Sequence, residues 1–492
     1  MQFLPTNIYS VASVREIDRA AIEDHGIEGY TLMQRAGEAA VRAACGRFPE
    51  AKCWQVICGA GNNGGDGYVV ARLAANDGIV VSVLTLVDPD ALTGDVAKAR
   101  ADFVAEGGVV APWIGELDSD ADLLVDAVLG SGLERDVSGV FADAVNAINA
   151  HPARVHAMDI ATGIHGDTGV VMGCAVKADL TTTFVGLKAG LFLGSGPDHC
   201  GQITYAGLDI GDDIRSGVAA LYRRIDDGLL AKALPRRARG AHKGDFGHVL
   251  VVGGGPGMPG AARLCAEAAL RSGAGRVSIA THRAHAASMC AARPELMCHG
   301  VSSAAELRTL LDKADVVAFG PGLGQTDWAR ECYDVLAQDK RPAVWDADAL
   351  NLLAANPATA ENRIITPHPG EAATLLGIDN AAIQSDRPAA LGALTGRYAG
   401  VPVLKGAATL IGSDSGVPWV CTAGNPGMAT AGMGDVLTGV VAALLAQGLP
   451  LETAAAAGVE VHALAGDLAA TAGERGLIAS DVIDALRAAV NP

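Results

Sequence analysis

Residues 55–67 read Gln-Val-Ile-Cys-Gly-Ala-Gly-Asn-Asn-Gly-Gly-Asp-Gly, and 68–76 continue with apolar residues at helical spacing. A short apolar run that ends in glycine and turns into a helix is the first unit of a parallel α/β sheet. The pattern recurs outward from it. Apolar runs at 79–86, 123–130 and 155–160 lead into turns with Gly or Asp, and helical segments fall at 68–76, 94–107 and 140–150. A helical stretch over 13–45 precedes them. Continuous apolar strands alternating with helices predict a mainly parallel sheet covered on both faces. Ligands of such sheets bind beyond the carboxyl ends of the strands, so the polar residues just after each run are the ones to read.

A second block repeats the pattern on different residues. Its runs are 248–253, 276–280, 316–320, 343–346, 363–366 and 401–405, the last followed by 409–411 and 419–422 as a β-meander. Helices are expected near 260–273, 327–338, 370–377, 433–447 and 452–471. The stretch 212–245 between the blocks carries Pro235 and the basic cluster Arg236, Arg237, Arg239 and Lys243, and reads as a solvated connector. The predicted organisation is α/β with two domains, 1–215 and 243–492, joined by a linker over 216–242. The first is expected to be Rossmann-like with helices on both faces of its sheet.

Composition narrows the function classes. The chain has 492 residues, 50% hydrophobic and 19% charged, which supplies sizeable cores and excludes a disordered polymer. Its net charge of −18 and 4% aromatic content argue against a nucleic-acid partner. Any bound phosphate must therefore be held by local backbone geometry. Gly, at 62 residues, exceeds the usual share of about 7% and suits many tight strand-to-helix loops. The ten Cys show no C-x-x-C spacing, which predicts reduced thiols in a cytoplasmic protein. Neither a secretory signal nor a membrane-spanning segment is expected.

In the first block, glycines 59–67 allow close backbone approach to a ligand, and the helix that follows offers free N–H groups to an anion. Asn62, Asn63 and Asp66 add amide and carboxylate oxygens where a plain phosphate cradle needs only donors. Asp126 and Asp159 end two further strands, each before its own turn. Three oxygen-rich loops without Cys or His suit a hard cation beside a phosphate-bearing ligand. An Asp in such a pocket can also act as general acid or base.

GAGNNGGDG, VDAVLGSGL and MDIATG together resemble the N-terminal YjeF domain, the NAD(P)H-hydrate epimerase family, over about residues 10–215. The resemblance implies interconversion of the R and S forms of hydrated NADH and NADPH. It implies a potassium ion on Asn63, Asp126 and Thr162. The substrate would lie on Asn62, Asn63, Gly64, Gly65 and Asp66, on the turn Gly130, Ser131, Gly132, Leu133, Glu134, Arg135 and Asp136, and on Asp159. Asp159 is the expected proton shuttle for the hydroxyl that leaves and returns. The family reads Asp-[Ile/Val]-Pro-Ser-Gly where this chain has Asp159-Ile160-Ala161-Thr162-Gly163, so Thr keeps the hydroxyl and the rigid Pro is lost.

In the second block, GGGPGMPGAA (253–262), GPGLG (320–324), DADALN (346–351), TPHPGE (366–371) and KGA (405–407) follow successive runs. Ala431-Gly432-Met433-Gly434-Asp435 opens an apolar helix. Its N–H groups can face a phosphate, and Asp435 can take the proton of an attacking hydroxyl. Lys405, at the end of VPVLK, can neutralise nucleotide phosphates. These motifs resemble the C-terminal YjeF domain, the NAD(P)H-hydrate dehydratase family of the ribokinase-like superfamily, over about 225–490. The resemblance implies dehydration of the S-hydrate with ADP as co-substrate. Ala261, Gly322, His368 and Asp435 would contact the hydrate, and Lys405, Gly406, Ala407, Ala408, Thr409 and Gly434 the nucleotide. Asp435 is the expected base. Mg²⁺ is expected to balance the phosphate, with Asp348 and Glu371 as candidate ligands.

In this order the two resemblances are those of the bifunctional NAD(P)H-hydrate repair enzymes, and the apolar content predicts a homo-oligomer. Two other readings compete. One is a ribokinase-like kinase of a small alcohol, which leaves the GNNGGDG block unused. The other makes the first block a non-catalytic nucleotide sensor.

Overall fold

The computed structural model describes residues 4–289, 291, 293–413 and 416–491. Cys290 lies outside these; the other nine cysteines are free thiols. No helix among the described residues is long and apolar enough to cross a membrane. The chain forms two compact units, Met1–Tyr222 and Arg223–Pro492.

The first unit is built on a seven-stranded sheet. Its strands run in the order Val110–Pro112, Val80–Thr85, Cys53–Cys58, Leu123–Ala127, Arg154–Met158, Leu180–Phe184 and Gln202–Ala206, all pairs parallel. The order reverses between Cys53–Cys58 and Leu123–Ala127, which opens a ligand crevice there. At that point Gly59 is obligatory, because an added Cβ would lie 2.0 Å from the Val128 carbonyl oxygen. The helix after the first strand spans Asn62–Asn76, so Asn62 to Gly67, expected as a loop, already lies inside it. Gly64 permits this: its added Cβ would lie 2.2 Å from the Gly59 carbonyl oxygen, a contact that only glycine avoids. The predicted helix over 13–45 is broken into Val11–Arg19, a wide turn Ala20–Asp24 and Gly29–Arg47, with Gly26 in the left-handed region between them. Three strands were not read from the sequence. Among them Leu180–Phe184 reads LTTTF, polar in composition yet wholly buried, with β-branched residues that suit a strand.

The second unit repeats the logic. Its strands run Met297–Val301, Arg276–His282, His248–Val252, Val316–Phe319, Ala343–Trp345, Arg363–Ile365 and Val401–Leu404 in parallel. The expected meander, Leu410–Ile411 and Trp419–Val420, adds two antiparallel pairings. Again a glycine marks the reversal: a Cβ on Gly253 would stand 2.1 Å from the Pro321 carbonyl oxygen. Helix Met433–Ala446 is buried almost throughout and packs with Pro259–Arg271 and Leu451–Ala469 in the core.

The division at Tyr222–Arg223 falls inside the expected linker 216–242. That segment is more than a solvated connector. Arg223 and Arg224 pair in parallel with Trp419 and Val420, and helix Asp227–Ala233 follows. Ile225 and Leu230 are buried in the second core, which is why this charged stretch is ordered.

Candidate active sites

In the first unit the strand ends at the crevice carry the predicted acids. Asp126 is fully buried at the end of Leu123–Ala127. Its Oδ2 accepts the Thr162 N–H at 2.8 Å and its Oδ1 accepts the Thr162 hydroxyl at 2.6 Å. Burial pushes the Asp126 carboxyl up to about 6, against the pull of these bonds. Thr162 Oγ1 also accepts the Leu129 N–H at 2.9 Å, so Ala161-Thr162 keeps the turn closed without the family's proline. One residue on, a Cβ on Gly130 would sit 3.5 Å from the Asn63 side chain and 3.4 Å from Asp159 Oδ2. Asn63 is buried, and among the described residues neither polar atom of its amide has a hydrogen-bond partner.

Asp159 sits in the left-handed region, φ 68°, just past Arg154–Met158. The strain is held by its N–H, which donates to the Thr182 carbonyl at 2.8 Å, and by its carboxylate. Oδ2 accepts the Ser131 N–H at 3.2 Å, and Oδ1 accepts a close bond from Lys188 Nζ. Lys188 is buried, and its ammonium also donates to the Phe184 carbonyl at 2.8 Å and to Thr183 Oγ1 at 3.1 Å. Burial is the largest single influence and would raise the Asp159 carboxyl, but the Lys188 charge together with the hydrogen bonds from Lys188 and Ser131 outweighs it and holds the carboxyl below the usual range. Asp66 and Asp18 share this field and go the other way. Burial, then Asp159 and Asp18, drives Asp66 well up, and burial lifts Asp18 to about 6.

The fold thus brings Asn63, Asp66, Gly130, Ser131 and Asp159 together, with Gly64 and Gly65 buried beside Asn63. Asn62 is exposed. Gly132 lies against Arg15, its added Cβ 2.5 Å from the guanidinium. Leu133 is buried, while Glu134, Arg135 and Asp136 are exposed. Sequence reading missed Lys188 and Asp18. The available signal for Lys188 was a lysine inside the apolar run 185–191, whereas Asp18 resembles any other charge on a surface helix.

In the second unit Asp435 lies in the first turn of Met433–Ala446, whose N-cap Gly432 is left-handed at φ 92°. Burial, then the neighbouring Asp346, lifts the Asp435 carboxyl to about 7, with Lys405 opposing. Lys405 Nζ donates to Asp346 Oδ1 at 2.7 Å and lies 3.7 Å from Glu371 Oε2. A Cβ on Gly434 would stand 3.1 Å from that ammonium, so the absence of a side chain lets the lysine meet the helix start. Burial raises the Glu371 carboxyl, and Lys405 moderates the effect.

The loop after Lys405 is shaped by Gly406 at φ 140° and Ala408 at φ 52°. Buried Arg387 holds it, donating to the Ala407 carbonyl and, at 3.2 Å, to the Leu404 carbonyl. Thr409 Oγ1 closes the turn on the Gly406 carbonyl at 3.0 Å. Ala261 and Gly322 face each other, the Ala261 Cβ lying 2.9 Å from the position a Gly322 Cβ would take. His368 is exposed and caps helix Pro369–Leu376, its Nδ1 accepting the Gly370 N–H at 3.0 Å. Asp348 accepts the Gly324 N–H at 2.8 Å. No local pattern assigned a role to Asp346, Thr438 or Arg387, whose importance lies in partners far along the chain.

Residues 29–190 match the family model of the YjeF-related protein N-terminus, and residues 249–488 that of NAD(P)H-hydrate dehydratase. The bifunctional NAD(P)H-hydrate repair enzyme Nnr of Coxiella burnetii is 46% identical over 99% of this chain and 100% of its own. That of Escherichia coli is 42% identical over 99% of this chain and 95% of its own. Among solved structures, a ribokinase-like superfamily protein of Enterococcus faecalis is 30% identical, with a TM-score of 0.51, over 54% of this chain and 94% of its own. With identity of this order running from end to end, the chain belongs to the family of bifunctional NAD(P)H-hydrate repair enzymes.

Proposed function

We propose that the chain repairs hydrated NADH and NADPH in two steps, epimerising the R and S hydrates in the first unit and dehydrating the S form in the second at the expense of ADP. The observation that carries this reading is that each unit sets a lysine, buried in the first and half-buried in the second, among carboxylates at its strand ends, in a chain related over 99% of its length to enzymes with both activities.

In the first site the reacting hydroxyl sits on the carbon beside the ring nitrogen. The C–O bond breaks with help from the nitrogen lone pair as the Lys188–Asp159 pair gives a proton to the departing hydroxyl, which leaves as water, and Asp159 takes a proton back as water adds to the other face. The first N–H groups of the Asn62 helix, with Gly64 and Gly65, and the turn Gly130 to Asp136 hold the substrate. The orphaned Asn63 amide fits a potassium ion, since its Oδ1 lacks a donor among the described residues. Asn63, Asp126 and Thr162 would hold it, and the ion would supply a fixed positive charge for the anionic substrate.

In the second site Asp435, with its proton affinity near neutrality, takes the hydroxyl proton as that oxygen attacks the β-phosphorus of ADP. AMP leaves, carrying the bonding pair of the broken P–O bond. Phosphate then departs from the ring with its C–O pair while a proton is lost from the adjacent carbon, which restores the dihydronicotinamide. Lys405 to Thr409 and Gly434 hold the nucleotide, and Ala261, Gly322 and His368 line the hydrate. Among the described residues no group of three or more His, Cys, Asp or Glu is arranged to hold a metal. That fits Mg²⁺ carried mainly by phosphates and water, where it would screen phosphoryl charge. Asp348 and Glu371 are the candidate protein ligands, each already giving one oxygen to a backbone N–H, that of Gly324 and of His368 respectively. We further infer a cytoplasmic protein that works as a homo-oligomer.

The test follows dihydronicotinamide absorbance on a mixed R/S hydrate with Mg²⁺. The wild type restores the whole sample when ADP is added, and Asp159→Asn rapidly restores only the S fraction. No recovery with ADP or ATP sinks the reading.

A further inference from the structure

Helix Met433–Ala446 reads MGDVLTGVVAALLA, so Thr438 is its one hydroxyl, and it is fully buried. A β-branched residue with a polar atom is a poor choice for the interior of an apolar helix unless the hydroxyl is used. Its hydroxyl donates to Asp346 Oδ2 at 2.9 Å, ninety-two residues back in the chain. Asp346, itself 1% exposed, gives its other oxygen to Lys405 at 2.7 Å. Thr438 stands three residues after Asp435, on the same side of the helix. The start of the helix is tight against this group, because a Cβ on Gly434 would lie 3.3 Å from Asp346 Oδ2. One continuous chain of bonds therefore ties the helix that carries Asp435 to the strand end that carries Lys405.

We propose that Thr438 is a positioning residue for the dehydration step: through Asp346 it sets the spacing between Asp435 and Lys405. The inference rests on the function proposed above. Removing the hydroxyl lets the helix slide by a fraction of an ångström relative to the lysine, and phosphoryl transfer is sensitive to errors of that size.

The test compares T438V and T438S in the full chain. T438V has nearly the shape of Thr, and it is expected to lower kcat for ADP-dependent dehydration by roughly 10- to 100-fold with the hydrate KM little changed. T438S, which keeps the hydroxyl, recovers most of that loss. Epimerisation by the same molecules stays at the wild-type rate. D346N, in which the amide no longer offers two acceptor oxygens, is a second variant for the case where T438V unfolds; it lowers kcat and raises the KM for ADP. A T438V enzyme as fast as wild type overturns the proposal, as does a T438S enzyme no better than T438V, which would assign Thr438 to packing alone. In the fallback, a D346N enzyme with wild-type kcat overturns it. A wild type inactive on the hydrate with ADP or ATP overturns the functional reading, and the proposal with it.

Discussion

The two sites use the same parts and reach opposite proton affinities. In the first, the buried lysine bonds the central carboxylate itself: Lys188 sits on Asp159 and holds that carboxyl below its usual range despite burial. In the second, the lysine bonds a different acid: Lys405 sits on Asp346, and burial with that second negative charge leaves Asp435 at about 7. Which acid receives the ammonium decides which one holds a proton. An ionised carboxylate paired with an ammonium suits a hydroxyl that leaves and returns, because the lysine can lend the proton and the carboxylate can take it back, and a carboxyl titrating near neutrality suits a base that must take a proton from an alcohol.

The largest expected effect tests whether the two acids act separately. Asp435→Asn should lower ADP-dependent dehydration by about 10²–10⁴-fold and leave epimerisation intact, while Asp159→Asn should do the reverse. Both rates are read on R- and S-enriched hydrate; equal loss of both activities in either variant breaks the comparison. Next comes pH. Asp435 must be ionised to act, and its carboxyl is raised, so kcat for dehydration should climb roughly tenfold per unit below a bend near 7. Epimerisation should be flat there, because Asp159 is already ionised, and a shared bend would remove the contrast.

A smaller effect isolates the lysine. Lys188→Met removes the charge that keeps the Asp159 carboxyl low, so the acid limb of the epimerisation profile should move to higher pH by about one unit or more. An unmoved limb would mean that the ion pair does not set the ionisation of Asp159. The smallest is read as stability. Gly64→Ala drives a methyl to 2.2 Å from the Gly59 carbonyl oxygen, which backbone cannot yield cheaply. It should cost the first unit about 1–3 kcal/mol, visible as a lower Tm, with the second unit's transition unmoved.

Much of the fold was legible because its signals are local. An apolar run followed by glycine marks a strand end wherever it occurs, and 140–150 emerged as helix Val140–Ala150 with no adjustment. Leu180–Phe184 was missed because its threonines are polar by type, although they are buried and bonded, as in the 2.9 Å pair of Thr182 with Thr204. The GNNGGDG stretch was read as a loop because glycine is a weak helix former; a tight strand-to-helix turn overrode that preference.

By itself the sequence determined the alternation of strands and helices and the strand-end motifs that carry Asn63, Asp126, Asp159 and Asp435. Each of these depends on neighbours a few residues away. Tertiary structure alone decided the company each acid keeps. Lys188 meets Asp159 across 29 residues, Lys405 meets Asp346 across 59, and Thr438 closes on that same Asp across 92. Burial and Coulomb attraction act through space, so a carboxylate's proton affinity is set only when distant segments have packed around it.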